Sequence, residues 1–236
     1  MNMVSSFLHK LLPSSPSGSG IADVAPTWTG VIRKETAISD CPFVVFDTEL
    51  SGLNPRKDSI IAIGAMKMRG GSIAPADEFY RLIRPFGEMT KKSVEIHGIT
   101  PDELEHADDI KTVVQDFFEF ITDAVLVGHF IHIDLRFLNS YLKKQHNSTL
   151  RNPAVDTHGI HGWLLQNSAE FKKYFHGGSL KTDLFSVAEQ YGVSVSMAHN
   201  ALYDAFITAQ LFQRFLHFLE PHGIDTLNEL LDIGRA

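Results

Sequence analysis

Residues 43–52, FVVFDTELSG, set two carboxylates, Asp47 and Glu49, directly behind a run of four apolar residues. Side chains alternate along a strand, so both acids project from one face, about 6 to 7 Å apart along the chain. The FVVF run reads as a central strand covered on both faces, where an unpaired charge is costly and two like charges repel. A metal cation offsets both penalties. The alternative is a strand that leaves the sheet at Thr48, with both acids solvated at its carboxyl end. A third acid, Asp134, shares a helix face with Ile131, Leu135 and Leu138 and therefore points inward. It can equally be read as an acid favoured by the positive end of the helix dipole.

In AHNALYDA, residues 198–205, His199 and Asp204 stand five apart. On one continuous helix that spacing separates them by about 140°. Asn200 is a good N-cap residue, which assigns His199 to the loop before the helix and Asp204 to its first turn, where the two can converge. Oxygen-only ligation by such acids suits Mg²⁺ or Mn²⁺ rather than zinc. Two ions about 3.5 to 4 Å apart can activate water and stabilise the leaving oxygen of an in-line attack on phosphorus. A histidine nearby can take the proton from that water.

These residues need elements to hold them. FVVFDTEL, DSIIAIGAMKM and FYRLIRP are three β-rich runs separated by short polar turns, a three-stranded meander. Thr100-Pro101-Asp102-Glu103 is a capping box with proline at the first helical position. Ile110, Val113, Val114, Phe117, Phe118 and Ile121 make an amphipathic helix, and AVLVG is a short buried strand. Helices are expected over 131–144, near 157–166, over 179–190 and over 201–219. This order predicts an α/β fold, a mixed sheet covered by helices. Residues 1–41 read as a tail, linker and arm, 42–220 as the domain, and 221–236 as an extension with a short helix. Val4, Phe7, Leu8, Leu11 and Leu12 lie at helical spacing before the PSSPSGSG linker, either a disordered tail or a short amphipathic helix that docks on a membrane surface or on a partner, a polymerase or other protein.

With 236 residues, 44% of them hydrophobic, the chain can bury one sizeable core. Its single cysteine, Cys41, excludes an internal disulfide and suits a reducing compartment, and no apolar run approaches the roughly 20 residues of a membrane-spanning helix. A cytoplasmic protein is expected. A net charge of −7 argues against a broad phosphate-gripping surface, so any nucleic-acid contact must be local or offset by cations.

The motifs, in this order, resemble the DEDDh branch of the DEDD 3′-to-5′ exonuclease superfamily, and especially the proofreading epsilon subunits of bacterial DNA polymerase III. FDTE corresponds to the first motif, GHFIHIDLRFL to the second and AHNALYDA to the third, while VEIHGIT, residues 94–100, is similar to the loop between the first two. The resemblance spans residues 43 to about 219 and implies a ribonuclease H-like mixed five-stranded sheet flanked by helices. It implies two divalent cations, Mg²⁺ or Mn²⁺, with Asp47, Glu49 and Asp204 on one, Asp47 and Asp134 on the second, and His199 as general base. It implies a single-stranded nucleic-acid 3′ end as substrate, contacted by Thr48, Leu50 and Gly52, with His97, His129 and Phe137 as neighbours. The chain departs from the family's pattern in three places. Leu50-Ser51 replaces a threonine pair, Ala62 replaces a glutamate, and the H-N-x-x-F-D opening of the second motif becomes His129 to Asp134, with His129 read at the asparagine position.

Two other readings compete. His129/His132 and His158/His161 have the i, i+3 spacing of zinc ligands on a helix, though no cysteine or HExxH motif accompanies them. A catalytically weak nucleic-acid-binding or polymerase-accessory module on the same fold is the alternative from a different class.

Overall fold

In the computed structural model, which describes residues 30–86, 89, 91–173, 182–195 and 199–235, the FVVF run lies in β1 (Pro42–Leu50) at the centre of a sheet. The chain continues through β2 (Ile60–Arg69), β3 (Ser72–Leu82), α1 (Lys91–His97), α2 (Pro101–Glu105), α3 (Ile110–Ile121), β4 (Val125–Gly128) and α4 (His132–His146). It ends with β5 (Ala154–Asp156), α5 (Thr157–Asn167), α6 (Ala169–Lys172), α7 (Leu184–Gln190), α8 (Ala201–Leu219) and α9 (Leu227–Ile233). The sheet order is β3-β2-β1-β4-β5, antiparallel from β3 to β1 and parallel from β1 to β5, the mixed five-stranded sheet that was expected.

Alternation along β1 divides the core. Phe43 and Val45 pack with Phe212 and Phe215 of α8, and the Phe43 and Phe212 rings meet edge to face at 5.1 Å. Val44 and Phe46 pack with Phe117 of α3 and Leu138 and Leu142 of α4. Both faces of β1 are therefore covered, and all six apolar positions of the α3 stripe are buried. By the same alternation Asp47 and Glu49 face the α8 side, and Thr48 faces the α4 side.

Three local readings need correction. The 94–100 stretch is helical through His97 rather than a loop throughout. β5 escapes sequence reading because three residues carry no period. The described part of the 179–190 helix begins at Leu184; residues 174–181 lie outside the described residues, as do the tail and linker at 1–29.

The arm and the C-terminal extension are joined to the domain. Ile38 N–H donates to the Asp225 carbonyl and Leu227 N–H to that of Thr36, at 2.8 and 2.9 Å. Asp156 N–H donates to the Gly234 carbonyl at 2.8 Å, and Ile38, Cys41, Leu227 and Leu230 enter the α8-side core. Residues on both sides of the expected boundaries at 41/42 and 220/221 thus share hydrogen bonds and a core. Among the described residues no helix is long and apolar enough to cross a membrane.

Candidate active site

Both helices that carry acids begin beside the carboxyl end of β1. α4 follows β4, the parallel neighbour of β1, so its first turn emerges at that edge with Asp134 buried at 6% exposure. α8 arrives on the other face, where Asn200 caps it by accepting from Tyr203 N–H at 3.1 Å. Asp204 then falls in the first turn and its Oδ2 accepts from His199 N–H at 3.2 Å. His199 itself is exposed, lies outside the helix and adopts φ +64°, a left-handed conformation. For a non-glycine residue that conformation costs of order 1 kcal/mol or more.

Close approach of α8 to the sheet depends on Gly64. A Cβ there would lie 2.1 Å from Leu202 N and 2.2 Å from the Ala201 carbonyl carbon, so the helix start rests on bare backbone. Gly64 pairs with Asp47 in the β1–β2 register and with Tyr80 in β2–β3, which puts it beside the acids that Asp204 must reach. Gly64→Ala is expected to lower stability by about 1 to 3 kcal/mol through overpacking and to reduce turnover by displacing Asp204. Thermal melts and steady-state rates on the purified variant check both.

Three of the four acids converge. One carboxylate oxygen each from Asp47, Glu49 and Asp204 lie within 4.8 Å of one another, the only group of three or more metal-ligating side chains among the described residues. Glu49 Oε1 and Asp204 Oδ1 are buried without a hydrogen-bond partner. Ligands about 2.1 Å from a magnesium ion are at most about 4.2 Å apart, so the cluster needs to contract by only several tenths of an ångström. Orphaned, all-oxygen donors at this spacing fit a hard divalent cation. Among the described residues no histidine joins such a group.

Electrostatics say the same. Burial raises Glu49 to about 7, with the Asp134 charge adding to it, and burial and then the Glu49 charge raise Asp204 to about 7. Asp134 is also pushed up to about 7 by burial, against hydrogen bonds that favour its charged form. Asp47 rises well above the carboxylate range through burial and then the charges of Asp134, Glu49 and Asp204. It is packed closely by protein yet keeps part of its surface open to solvent.

Several expected substrate contacts have other partners. Thr48 is 8% exposed, and its N–H, at 3.1 Å, and its hydroxyl both donate to Asp134 Oδ1, so it orients Asp134. Thr48→Val removes the hydroxyl bond but keeps the N–H, and should lower turnover about tenfold with little change in melting temperature, checked by kcat and a thermal melt. Phe137 is a core residue at 4% exposure. Both ring nitrogens of His129 are engaged, Nδ1 with Thr157 Oγ1 at 2.9 Å and Nε2 with the Thr182 carbonyl at 2.8 Å. Counted back from Asp134, the asparagine position of the second motif falls on Phe130, not His129. Phe130 is half-buried, with φ +55° and its ring 4.3 Å from that of His158. Leu50 packs at the edge of the α4-side core, and Gly52 accommodates the Asp58 carboxylate, which a Cβ would meet at 2.4 Å. His97 is 8% exposed, and its Nδ1 accepts from Ile99 N–H. Burial and then the nearby charge of His199 lower its pKa.

Three residues near the site escaped the sequence reading. Tyr80 hydrogen-bonds the Asn200 side chain and feels the Glu49 charge. Phe185 sets its ring edge on against His199, with centroids 5.0 Å apart. Asp156 Oδ1 accepts from Phe130 N–H and His158 N–H, each at 2.9 Å. Only Asp156 left a signal, since AVD repeats in brief the apolar-then-acid pattern of FVVFD.

A family model described as Exonuclease (RNase_T) matches residues 44–212. The chain belongs to the exonuclease family. Asp47, Glu49, Asp134 and Asp204 with His199 put this exonuclease on the DEDDh, 3′-to-5′ branch. It is 37% identical over 213 residues to a PolC-type DNA polymerase III of Thermotoga maritima, covering 89% of this chain but 14% of that one. It is 31% identical over 188 residues to the DNA polymerase III epsilon subunit of Aquifex aeolicus, covering 80% of this chain and 87% of that one. The exonuclease thus spans about a seventh of the length of that PolC-type relative. E. coli Exonuclease I in complex with a dT13 oligonucleotide shares the fold, with TM-score 0.64 and 15% identity over 78% of this chain and 43% of that one.

Proposed function

We propose that this protein removes nucleoside 5′-monophosphates one at a time from the 3′ end of single-stranded nucleic acid, DNA in preference to RNA, with two divalent cations, Mg²⁺ or Mn²⁺. The observation that carries the reading is the meeting of Asp47, Glu49 and Asp204, two of them with bare buried oxygens, beside the exposed His199. Asp47, Glu49 and Asp204 would hold one cation, and Asp47 with Asp134 the second. Such cations supply neutralising charge to the phosphate and acidify water. His199 takes the proton of the attacking water on its imidazole, whose face is limited on one side by Phe185. Thr48 fixes Asp134, and the Asn200 cap fixes the start of α8. Asp134 and Asp204 lie in the first turns of α4 and α8, whose amino-terminal ends favour an anion beside them.

Relatives named as DNA polymerases support DNA as substrate, and the same reading has the protein work in the cytoplasm with a polymerase engaged by residues 1–20. Incubation of 5′-labelled single-stranded DNA and RNA with Mg²⁺ or Mn²⁺ tests the proposal. A ladder that shortens from the 3′ end, faster for DNA, is expected. If neither strand shortens the reading is wrong, and faster RNA cleavage overturns the substrate assignment.

A further inference from the structure

The connection between β1 and β2 is fastened to α4. Arg136 Nη2 donates to the Leu53 carbonyl at 2.9 Å and Ser140 Oγ to the Pro55 carbonyl at 3.2 Å. Ser51, one of the departures from the family pattern, accepts from Ser59 N–H at 2.8 Å, and Ser59 Oγ accepts from Phe86 N–H at 2.9 Å. These bonds tie the loop that leaves the active site to an aromatic ring that is 66% exposed.

Between loop and helix lies a groove enclosing about 170 Å³, lined by Arg56, Lys57 and Lys144 with Phe86 and Tyr141. All three cations are exposed. Lys144 Nζ stands over the Phe86 ring, 5.9 Å from its centre, on a flexible stem that can swing aside for a flat group. The one acid among the described lining residues, Asp58, is turned inward, its carboxylate accepting from Asn54 N–H at 2.7 Å. In a chain of net charge −7 this groove is a local inversion of sign. It also leads from the site. Tyr141 and Lys144 follow Asp134 on α4 by seven and ten residues, about 10 and 15 Å at 1.5 Å per residue.

We propose that this groove binds the single-stranded segment immediately 5′ of the terminal nucleotide, with its phosphates against Arg56, Lys57 and Lys144 and one base stacked on Phe86. Interleaved cations and exposed aromatic faces are the pattern by which single strands are held without sequence preference. The inference rests on the function proposed above.

The test compares oligodeoxythymidylates of two to eight nucleotides with the p-nitrophenyl ester of thymidine 5′-monophosphate, which can occupy only the terminal site. For the native protein, kcat/KM should rise with length over the first four or five nucleotides. Phe86→Ala should lower it about 5- to 100-fold for the octamer. Arg56→Ala with Lys144→Ala should reduce the log–log salt slope of octamer binding by about 0.7 per cation removed. Ester hydrolysis should keep its rate in every variant. Equal losses on ester and octamer, absence of a length effect, or an unchanged salt slope overturns the groove. Octamer binding is read by fluorescence anisotropy without divalent cation, so the groove is judged even if neither substrate is cut, an outcome that would sink the exonuclease reading itself.

Discussion

Asp47→Asn should reduce 3′-end cleavage by at least about 10³-fold while making the cation-free protein more stable. The two effects have one origin. Asp47, Glu49, Asp134 and Asp204 repel one another in a buried site, and each is raised towards neutrality by burial and, for all but Asp134, by another of the four charges. An amide of the same shape keeps the packing and relieves the repulsion, but it gives a cation one charge fewer. Loss of a charged group that stabilises a developing oxyanion commonly costs about 10² to 10³, and an acid that serves two cations should cost more. The pH dependence has a definite sign. Glu49, Asp134 and Asp204 titrate at about 7 in the folded chain, against about 4 for an unfolded carboxylate. Their protonation favours the fold, so that contribution is complete below about pH 4 and disappears as pH climbs through about 7. Melting curves in chelator should therefore fall between about pH 4 and 7, flatten when Mg²⁺ is added, and fall less steeply for Asp47→Asn. At pH 8 without cation, the variant should melt higher by roughly 2 to 4 °C for each kcal/mol of repulsion removed. A lower melting temperature for the variant in chelator would contradict the account.

His199→Ala should depress kcat by about 10² to 10⁴ without abolishing cation binding. The imidazole lies in the loop before the acid cluster rather than within it, and contributes only a backbone N–H to Asp204. That N–H survives substitution, so calorimetric titration with Mn²⁺ should change little. The backbone conformation supplies a control. His199 has φ +64°, which alanine inherits as strain and glycine adopts freely. His199→Gly should match His199→Ala in lost turnover yet melt higher, separating the proton acceptor from the local strain. Added imidazole should restore part of the rate to either variant. Equal turnover of native and variant proteins would remove His199 from the chemistry.

Local rules, which act over about four residues, were enough for much of the site. Alternation in FVVFDTEL put Asp47 and Glu49 on one face, and the structure sets them toward α8 together. The N-cap preference of Asn200 separated His199 from the helix that carries Asp204, as observed. The α3 stripe and the Thr100–Glu103 capping box were legible for the same reason, since each depends on neighbours within one or two turns.

Contacts between distant segments were not legible. Thr48 was read as a substrate neighbour, but it orients Asp134 from 86 positions away, because β1 and β4 are parallel partners and α4 follows β4. His129, expected at the substrate, has both nitrogens bound to Thr157 and to the Thr182 carbonyl, and the i, i+3 histidine pairs never close into a metal site among the described residues. Ala62 is likewise explained only in three dimensions, since it lies buried with Ala201 of α8.

By itself the sequence determined the chemical equipment: which acids and which histidine, on which face of their own element, in the order that marks an exonuclease of the DEDDh branch. Tertiary structure alone decided how they meet. Strand register set Gly64 beside Asp47, and the missing side chain at that glycine lets α8 descend onto the sheet and bring Asp204 to the cluster. The reason is that register and helix approach are fixed by packing across the whole core, whereas the spacing of residues along the chain reports only on each element's own faces.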